Sequence, residues 1–201
     1  MAKARAIVKR RKAVQNIRKI THTMELIATA RFKKAMDRAS QAAAYTRKIS
    51  GLVADLGASA VGVRHPLLSV HEGKQDAVLL VICSNRGLCG GYNGNVLRNA
   101  TRRHEELLTE ANRTRLEVAG KRGINYFRFR GLPPQEAYTQ FEDKVRFEEV
   151  EVLADRYIQW YTAAKIARLD VAYTKFLSAS RQIATVETLL PLSATPSEPT
   201  A

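Results

Sequence analysis

The sequence predicts an α/β protein in two parts: a long, protruding N-terminal coiled-coil helix and a small three-layer α/β domain. Three observations carry this expectation. Residues Met1–Ala60 contain no proline and no glycine before Gly51, and their apolar residues recur at spacings of three and four. Asp76-Ala-Val-Leu-Leu-Val-Ile-Cys83 is an unbroken apolar run of strand length, as a strand covered on both faces requires. Beyond it, strand-like and helix-like patterns alternate and close with two successive strands.

The first sixty residues are rich in good helix formers, namely Ala, Lys, Arg, Gln, Met and Leu. Their stripe runs through Val14, Ile17, Ile20, Met24, Ile27/Ala28, Phe32, Ala35/Met36, Ala39, Ala42/Ala43, Ile49, Val53 and Leu56. At about 1.5 Å per residue such a helix is roughly 80 Å long, longer than a globular domain of this size, so it is expected to protrude. One narrow apolar stripe on a protruding helix asks for a partner helix. A strict heptad would put Arg31 and Arg38 on the seam. A stripe that drifts at Phe32, Met36 and Ala39 avoids this, which favours a nearly straight helix. The many Ala and Thr residues on the seam permit close approach of a second helix.

Leu56 to Gln75, punctuated by Gly57, Gly62, His65-Pro66 and Gly73, reads as a boundary. The expected parts are a shaft over 1–60, a linker over 61–75, an α/β foot over 76–192 and a disordered tail over 193–201. Within the foot, the strand ending at Cys83 is followed by a glycine-rich turn, Ser84–Gly94. Next come a helix through Val96, Leu97, Ala100, His104, Leu107 and Leu108, a second strand at Leu116–Ala119, and a short helix at Ile124–Phe129. A loop from Gly131 to about Arg146 leads to a helix over Phe147–Ile166. Strands at Leu169–Leu177 and Gln182–Leu190, joined by Ser178-Ala-Ser-Arg181, form an antiparallel hairpin. This order is Rossmann-like.

Composition narrows the function classes. No apolar run approaches the roughly 20 residues of a membrane-spanning helix. The basic start MAKARAIVKRRK has no apolar signal core behind it, and two cysteines make no disulfide framework. A cytoplasmic protein with at most peripheral membrane attachment is expected. Charge is unevenly placed: residues 1–60 hold fourteen Lys and Arg against Glu25, Asp37 and Asp55, which is +11 of the chain's +14. A rod this basic seeks an acidic partner, whether nucleic acid, anionic headgroups or a protein surface.

No motif specifies an active site. The Gly87-x-x-Gly90-Gly91-x-x-Gly94 turn could present backbone N–H groups to an anion, but it lacks the G-x-G-x-x-G spacing and the Lys-Ser/Thr of a P-loop. A tight turn with positive φ is the expectation. Cys83 and Cys89, six residues apart, have no companion ligands for zinc and read as buried structural cysteines. His22, His65, His71 and His104 lie in separate elements. Tyr126, Phe127 and Phe129 interleave with Arg128 and Arg130 as in a single-strand binder, yet their place after a strand suits half-buried core better. Two rival functions follow from residues alone: a basic coiled-coil nucleic-acid binder, and a nucleotide-binding enzyme built on Gly87–Gly94.

Three segments resemble the gamma subunit family of rotary F-type ATP synthases. Ile17-Arg-Lys-Ile-Thr-His-Thr-Met-Glu-Leu-Ile-Ala-Thr-Ala-Arg-Phe-Lys-Lys-Ala35 is similar to the family's N-terminal helix signature. Ser84-Asn-Arg-Gly-Leu-Cys-Gly-Gly-Tyr-Asn93 is similar to its S-D-R-G-L-C-G-G-F-N loop, with Asn85 and Tyr92 in place of Asp and Phe. Thr185-Val-Glu-Thr-Leu-Leu-Pro-Leu192 resembles the close of its central domain.

The resemblance implies a non-catalytic central stalk that couples ion flow to ATP synthesis, with no cofactor, metal or nucleic acid. Its implied partners are the alpha and beta ring, epsilon and the membrane c-ring, at the cytoplasmic face of the bacterial inner membrane. It also implies partner contacts at Arg10, Arg11, Arg18, Lys19, Met24, Arg31, Lys33 and Lys34 on the shaft, and at Arg86 and Gly87 in the foot. Family members carry a second long helix after the Leu-Pro-Leu segment, the partner of the first. This sequence closes within ten residues of it, so a fragment and a shortened stalk are both open.

Overall fold

A computed structural model describes residues 2–58, 65–71, 75–141 and 145–192. The tail expected over 193–201 and residues 61–64 and 72–74 of the expected linker lie outside these residues. The chain divides into two compact units, residues 1–50 and 51–201.

Helix α1 spans Ala2–Ala58, 57 residues, or about 85 Å at the standard rise. It passes the first glycine without a break. Among the described residues of the first unit no side chain is buried, and only Met36 and Ala39 are half-buried. Val14, Ile17, Ile20, Met24, Ile27 and Phe32 are each 45–60% exposed. Thr21, Thr23 and Thr29 turn their hydroxyls back onto the carbonyls of Ile17, Lys19 and Glu25 at 3.1, 3.0 and 2.9 Å. That back-bonding lets β-branched polar residues sit inside a helix without unpaired groups.

The second unit is a five-stranded sheet in the order β3-β2-β1-β4-β5. Its elements are β1 (Asp76–Ile82), α2 (Tyr92–Glu110), β2 (Thr114–Ala119), α3 (Lys121–Phe129), β3 (Glu136–Tyr138), α4 (Phe147–Thr162), β4 (Ile166–Phe176) and β5 (Gln182–Leu190). β1 pairs in parallel with β2 and β4, β2 in parallel with β3, and β5 runs antiparallel to β4. The unbroken apolar run of β1 has a direct cause: alternate residues enter different cores. Ala77, Leu79, Val81 and Cys83 join Val96, Leu97, Leu107, Ile124 and Phe127 beneath α2 and α3. Val78 and Leu80 join Tyr157, Tyr161, Ile166, Leu169 and Val171 beneath α4. Helices on both faces of a central sheet make the three-layer α/β arrangement.

Several boundaries differ from the sequence expectation. Strand β3 lies inside the expected loop, paired through only three residues, Glu117↔Glu136 to Ala119↔Tyr138. Helix α3 begins three residues early, at Lys121, and β2 begins two residues early, at Thr114. Helix α4 stops at Thr162 because Ala164 takes a positive φ of 52°, and Ile166 opens β4 instead of closing the helix. Pro66–Leu68, expected as linker, forms a 3-10 turn. Its neighbourhood is fixed by the Tyr161 hydroxyl donating to Ser69 O at 2.6 Å and by His71 Nε2 donating to Tyr161 O at 2.9 Å.

Candidate functional site

The basic residues picked out on the shaft are all exposed: Arg10, Arg11, Arg18, Lys19, Arg31, Lys33 and Lys34, with Met24 among them. At about 100° per residue they do not share one face. Arg10, Met24 and Arg31 fall on the side of the apolar stripe, and Lys19 and Lys33 fall opposite. Arg11, Arg18 and Lys34 lie on the flanks between. Positive charge therefore surrounds the helix. His22, also exposed, lies 3.5 Å from Glu25.

Arg86 and Gly87 lie in the turn between β1 and α2. This turn is stitched by its own side chains. Asn93 Oδ1 accepts from Ser84 N at 3.0 Å while its Nδ2 donates to Ser84 Oγ at 2.8 Å and to Cys89 Sγ at 3.1 Å. Asn85 bridges outward, donating to Phe141 O at 2.9 Å and accepting from Lys121 N at 3.0 Å. Donors that a phosphate loop would hold ready, Ser84 N and Lys121 N, are thus consumed within the fold, which tells against the nucleotide-binding rival. Of the four glycines in the turn only Gly90 has a positive φ, 56°; the other positive value belongs to Leu88, at 61°. Leu88 is 96% exposed, a large apolar side chain at the tip beside Arg86 and Gly87.

The two cysteines part company. Cys83 is buried and Cys89 is exposed, so the expectation of two buried cysteines fails for Cys89, which sits past the end of β1 on the turn. Burial pushes the Cys83 thiol up to about 12, with Cys89 adding to the rise. Among the aromatics, Phe127 is buried and Tyr126 partly so, but Phe129 is 91% exposed. No group of three or more His, Cys, Asp or Glu side chains that could hold a metal occurs among the described residues, and none of their helices is long and apolar enough to cross a membrane.

Sequence reasoning missed two buried carboxylates. Glu117 on β2 faces α4, and its Oε2 accepts from the Tyr138 and Tyr157 hydroxyls at 2.6 Å each and from Arg156 Nη2 at 2.8 Å. Its Oε1 is buried without a hydrogen bond. Arg156 also bonds the Tyr138 hydroxyl and lies over the Trp160 ring at 4.9 Å, as Arg115 does at 4.8 Å. Burial first, then the bond to Glu117, raises the Tyr138 hydroxyl to about 12 and moves Tyr157 upward as well. Asp170 on β4 accepts from Arg103 Nε at 2.7 Å, Arg168 Nε at 2.9 Å and Thr188 Oγ1 at 2.8 Å. Arg103 continues to Glu106 and Glu110, so it ties α2 to the sheet. A Glu or Asp inside an apolar strand, as in Leu116-Glu-Val and Leu169-Asp-Val, was the available signal. Glu117 through Oε2 and Asp170 through both oxygens are bonded to arginine and hydroxyl groups, and they act as internal ties between helix and sheet.

Comparison with known proteins matches a family model described as ATP synthase over residues 3–200. The chain is 51% identical over 192 residues to the ATP synthase gamma chain of Rhodopirellula baltica, covering 96% of this chain and 65% of that one. It is 34% identical over 192 residues to the ATP synthase gamma chain of Leptospira biflexa, covering 96% and 66%. It thus spans about two thirds of the length of the curated relatives it matches. Among solved structures, the central stalk/c-ring of the Tetrahymena thermophila mitochondrial ATP synthase has a TM-score of 0.49 at 19% identity, covering 77% of this chain and 71% of that one. On the family match and these relatives, the chain belongs to the ATP synthase gamma chain family.

Proposed function

We propose that this chain supplies the shaft helix and the α/β foot of the central stalk of a rotary, proton-translocating ATP synthase. In this reading it has no catalytic site of its own and couples ion flow through a membrane rotor to ATP synthesis in a surrounding alpha/beta ring. It works peripherally at the cytoplasmic face of a bacterial membrane, with the foot meeting epsilon and the c-ring. The family match over residues 3–200 carries the proposal.

The shaft's chemistry supports it. A one-sided acidic groove or a DNA duplex would ask for cations on one face of a helix. A ring that encloses the helix can use them on every side, as Arg10, Arg11, Arg18, Lys19, Arg31, Lys33 and Lys34 are spread. Met24, half-exposed among them, is the apolar contact. In the foot, Arg86 and Gly87 would contact the same assembly, with the exposed Leu88 beside them. Coupling would then be a differential binding energy: each angle of an asymmetric shaft stabilises a different conformation at each ring site.

The test is Met24→Lys in an assembled complex carrying this chain. ATP synthesis driven by an ion gradient is expected to fall, with the ring's composition unchanged on native gels. Wild-type synthesis by the assembled variant would refute the placement of Met24 at a ring contact.

A further inference from the structure

Along α1 the apolar stripe stands in solvent, with Ile17 59% and Met24 50% exposed, and the order of its residues says what fits it. Through its middle, heptad spacing gives two columns of seam positions. One holds Thr21, Ala28, Ala35 and Ala42, and the other holds Ile17, Met24, Arg31 and Arg38. The first column is small and the second is large. In a parallel pair of helices each column meets its own kind, whereas in an antiparallel pair each meets the other.

A second copy of α1 running antiparallel therefore matches the stripe in shape. In the register that sets Met24 on Ala35 of the second copy, Ile17 meets Ala42, Arg31 meets Ala28 and Arg38 meets Thr21. Every one of these layers puts a large side chain against a small one, as close packing requires. A parallel pair would instead set Arg31 on Arg31 and Arg38 on Arg38, and leave Ala35 and Ala42 facing themselves. Charge beyond these layers points the same way. Lys3, Arg5, Lys9, Arg10, Arg11 and Lys12 crowd the start of the helix. Parallel pairing stacks this cluster on itself. The antiparallel register lays it over residues 47–56, whose charges are Arg47, Lys48 and Asp55, so like-charge repulsion is smaller.

We propose that α1 pairs with α1 of a second copy of this chain as an antiparallel coiled coil, with its two-fold axis between Thr29 and Ala30. The contact is isologous, so each layer occurs twice. Pairing is reversible, because the +11 carried by residues 1–60 of each copy opposes it, and dilution returns α1 to a single exposed helix. It concerns the chain before any assembly and stands whether or not that chain enters an ATP synthase. The stripe holds one occupant at a time, so a copy bound in this way has to leave before another partner takes its place.

The experiment is sedimentation equilibrium of the full chain across concentration and salt. A monomer–dimer equilibrium is expected, tightening as salt rises from about 0.1 to 0.5 M, because screening removes the repulsion between two basic helices. Ala35→Lys sets a lysine against Met24, and Ala42→Lys sets one against Ile17. Each should weaken the dimer by roughly tenfold or more, and circular dichroism checks that each variant keeps its helix. Orientation is read by oxidative cross-linking in a Cys89→Ser background, since Cys89 is an exposed native thiol and Cys83 is buried. A mixture of Met24→Cys and Ala35→Cys chains should give a disulfide-linked dimer, and neither chain should do so alone. A chain that stays monomeric at every concentration overturns the proposal and leaves the stripe to a helix of a different protein. So does a dimer that both lysine variants leave intact, which would place the contact outside the stripe. Met24→Cys cross-linking to itself would mean parallel chains and overturn it too. A dimer that dissociates as salt rises overturns it by showing that attraction between charges, rather than the apolar seam, holds the copies.

Discussion

At the residue scale, the buried carboxylate Glu117 makes the sharpest statement about how the domain is held. Three donors converge on one of its oxygens, and charge-assisted bonds of this kind are roughly twice as strong as neutral ones. Glu117→Gln keeps the volume but leaves Arg156 without its counter-charge. It is expected to destabilise the domain by about 2–4 kcal/mol, read as a lower urea midpoint with an unchanged slope. A second residue gives a pH signature. His104 on α2 is buried, and burial lowers its pKa, with Glu105 only partly opposing the effect. The folded state therefore favours the neutral ring, and the unfolded chain takes up the proton first. Stability contributed this way is full above the ordinary imidazole value of 6.5 and declines as pH falls from there toward the lowered folded value. Denaturant titrations between pH 7.5 and 5, as a practical window of about two units around the His value, should show that decline in wild type and a flatter curve in His104→Gln.

At the element scale, legibility followed the strength of periodicity. The alternation of β1 between two cores produces a run that no surface strand would carry, and the residues of α2 repeat on one face; both were readable. Strand β3 was not, because three residues after Pro133-Pro134 carry no pattern, and only pairing with β2 makes them a strand. Helix α4 was read too long because Ile166 continues its apolar spacing. The turn at Ala164 that ends the helix has no glycine to announce it. Gly120, directly after the strand expected at Leu116–Ala119, has a three-dimensional reason: with φ 99°, a Cβ there would lie 2.1 Å from Cys83 O.

The α3 aromatics test the difference between pattern and placement. Phe127 lies in the core beneath α2 and Phe129 in solvent. Phe127→Ala should cost about 3–5 kcal/mol, whereas Phe129→Ala should stay within about 0.5 kcal/mol. Equal losses in thermal or urea unfolding would contradict the assignment of faces. Of the proposed partner contacts, the sequence carries only the sign of a basic shaft that wants an acidic partner. Which of its sides is used depends on the partner's own surface, which no spacing within this chain encodes.

At the scale of the whole molecule, the two units draw their stability from different sources. Residues 51–201 bury two cores against one sheet. Among the described residues of 1–50 no side chain is buried, so that stretch of α1 relies on backbone hydrogen bonds, helix propensity and local side-chain contacts along the helix, such as His22 with Glu25, rather than on a core. Hydrogen exchange followed by mass spectrometry should find the amides of β1, β2 and β4 protected to the level of global unfolding. Those of Ala4–Ser50 should exchange by local opening, orders of magnitude faster. Equal protection of both units in the isolated chain would contradict this division. The proposed assembly predicts that α1 gains its protection only on docking.

The charge of α1 also has a kinetic meaning. Sixty residues carrying +11 generate a field that reaches about 10 Å into solution at ordinary ionic strength, well beyond any contact. Acidic surfaces are drawn toward such a helix before they touch it, and encounter rates rise by tenfold or more over those of a neutral pair, on the order of magnitude seen for steered association. Cations distributed around the whole circumference make that capture nearly indifferent to the helix's rotation about its own axis. Fast, orientation-tolerant encounter comes first, and the apolar stripe then selects the final register by the slower fitting of side chains. Salt added during assembly should therefore slow the encounter while leaving the lifetime of the finished contact largely untouched.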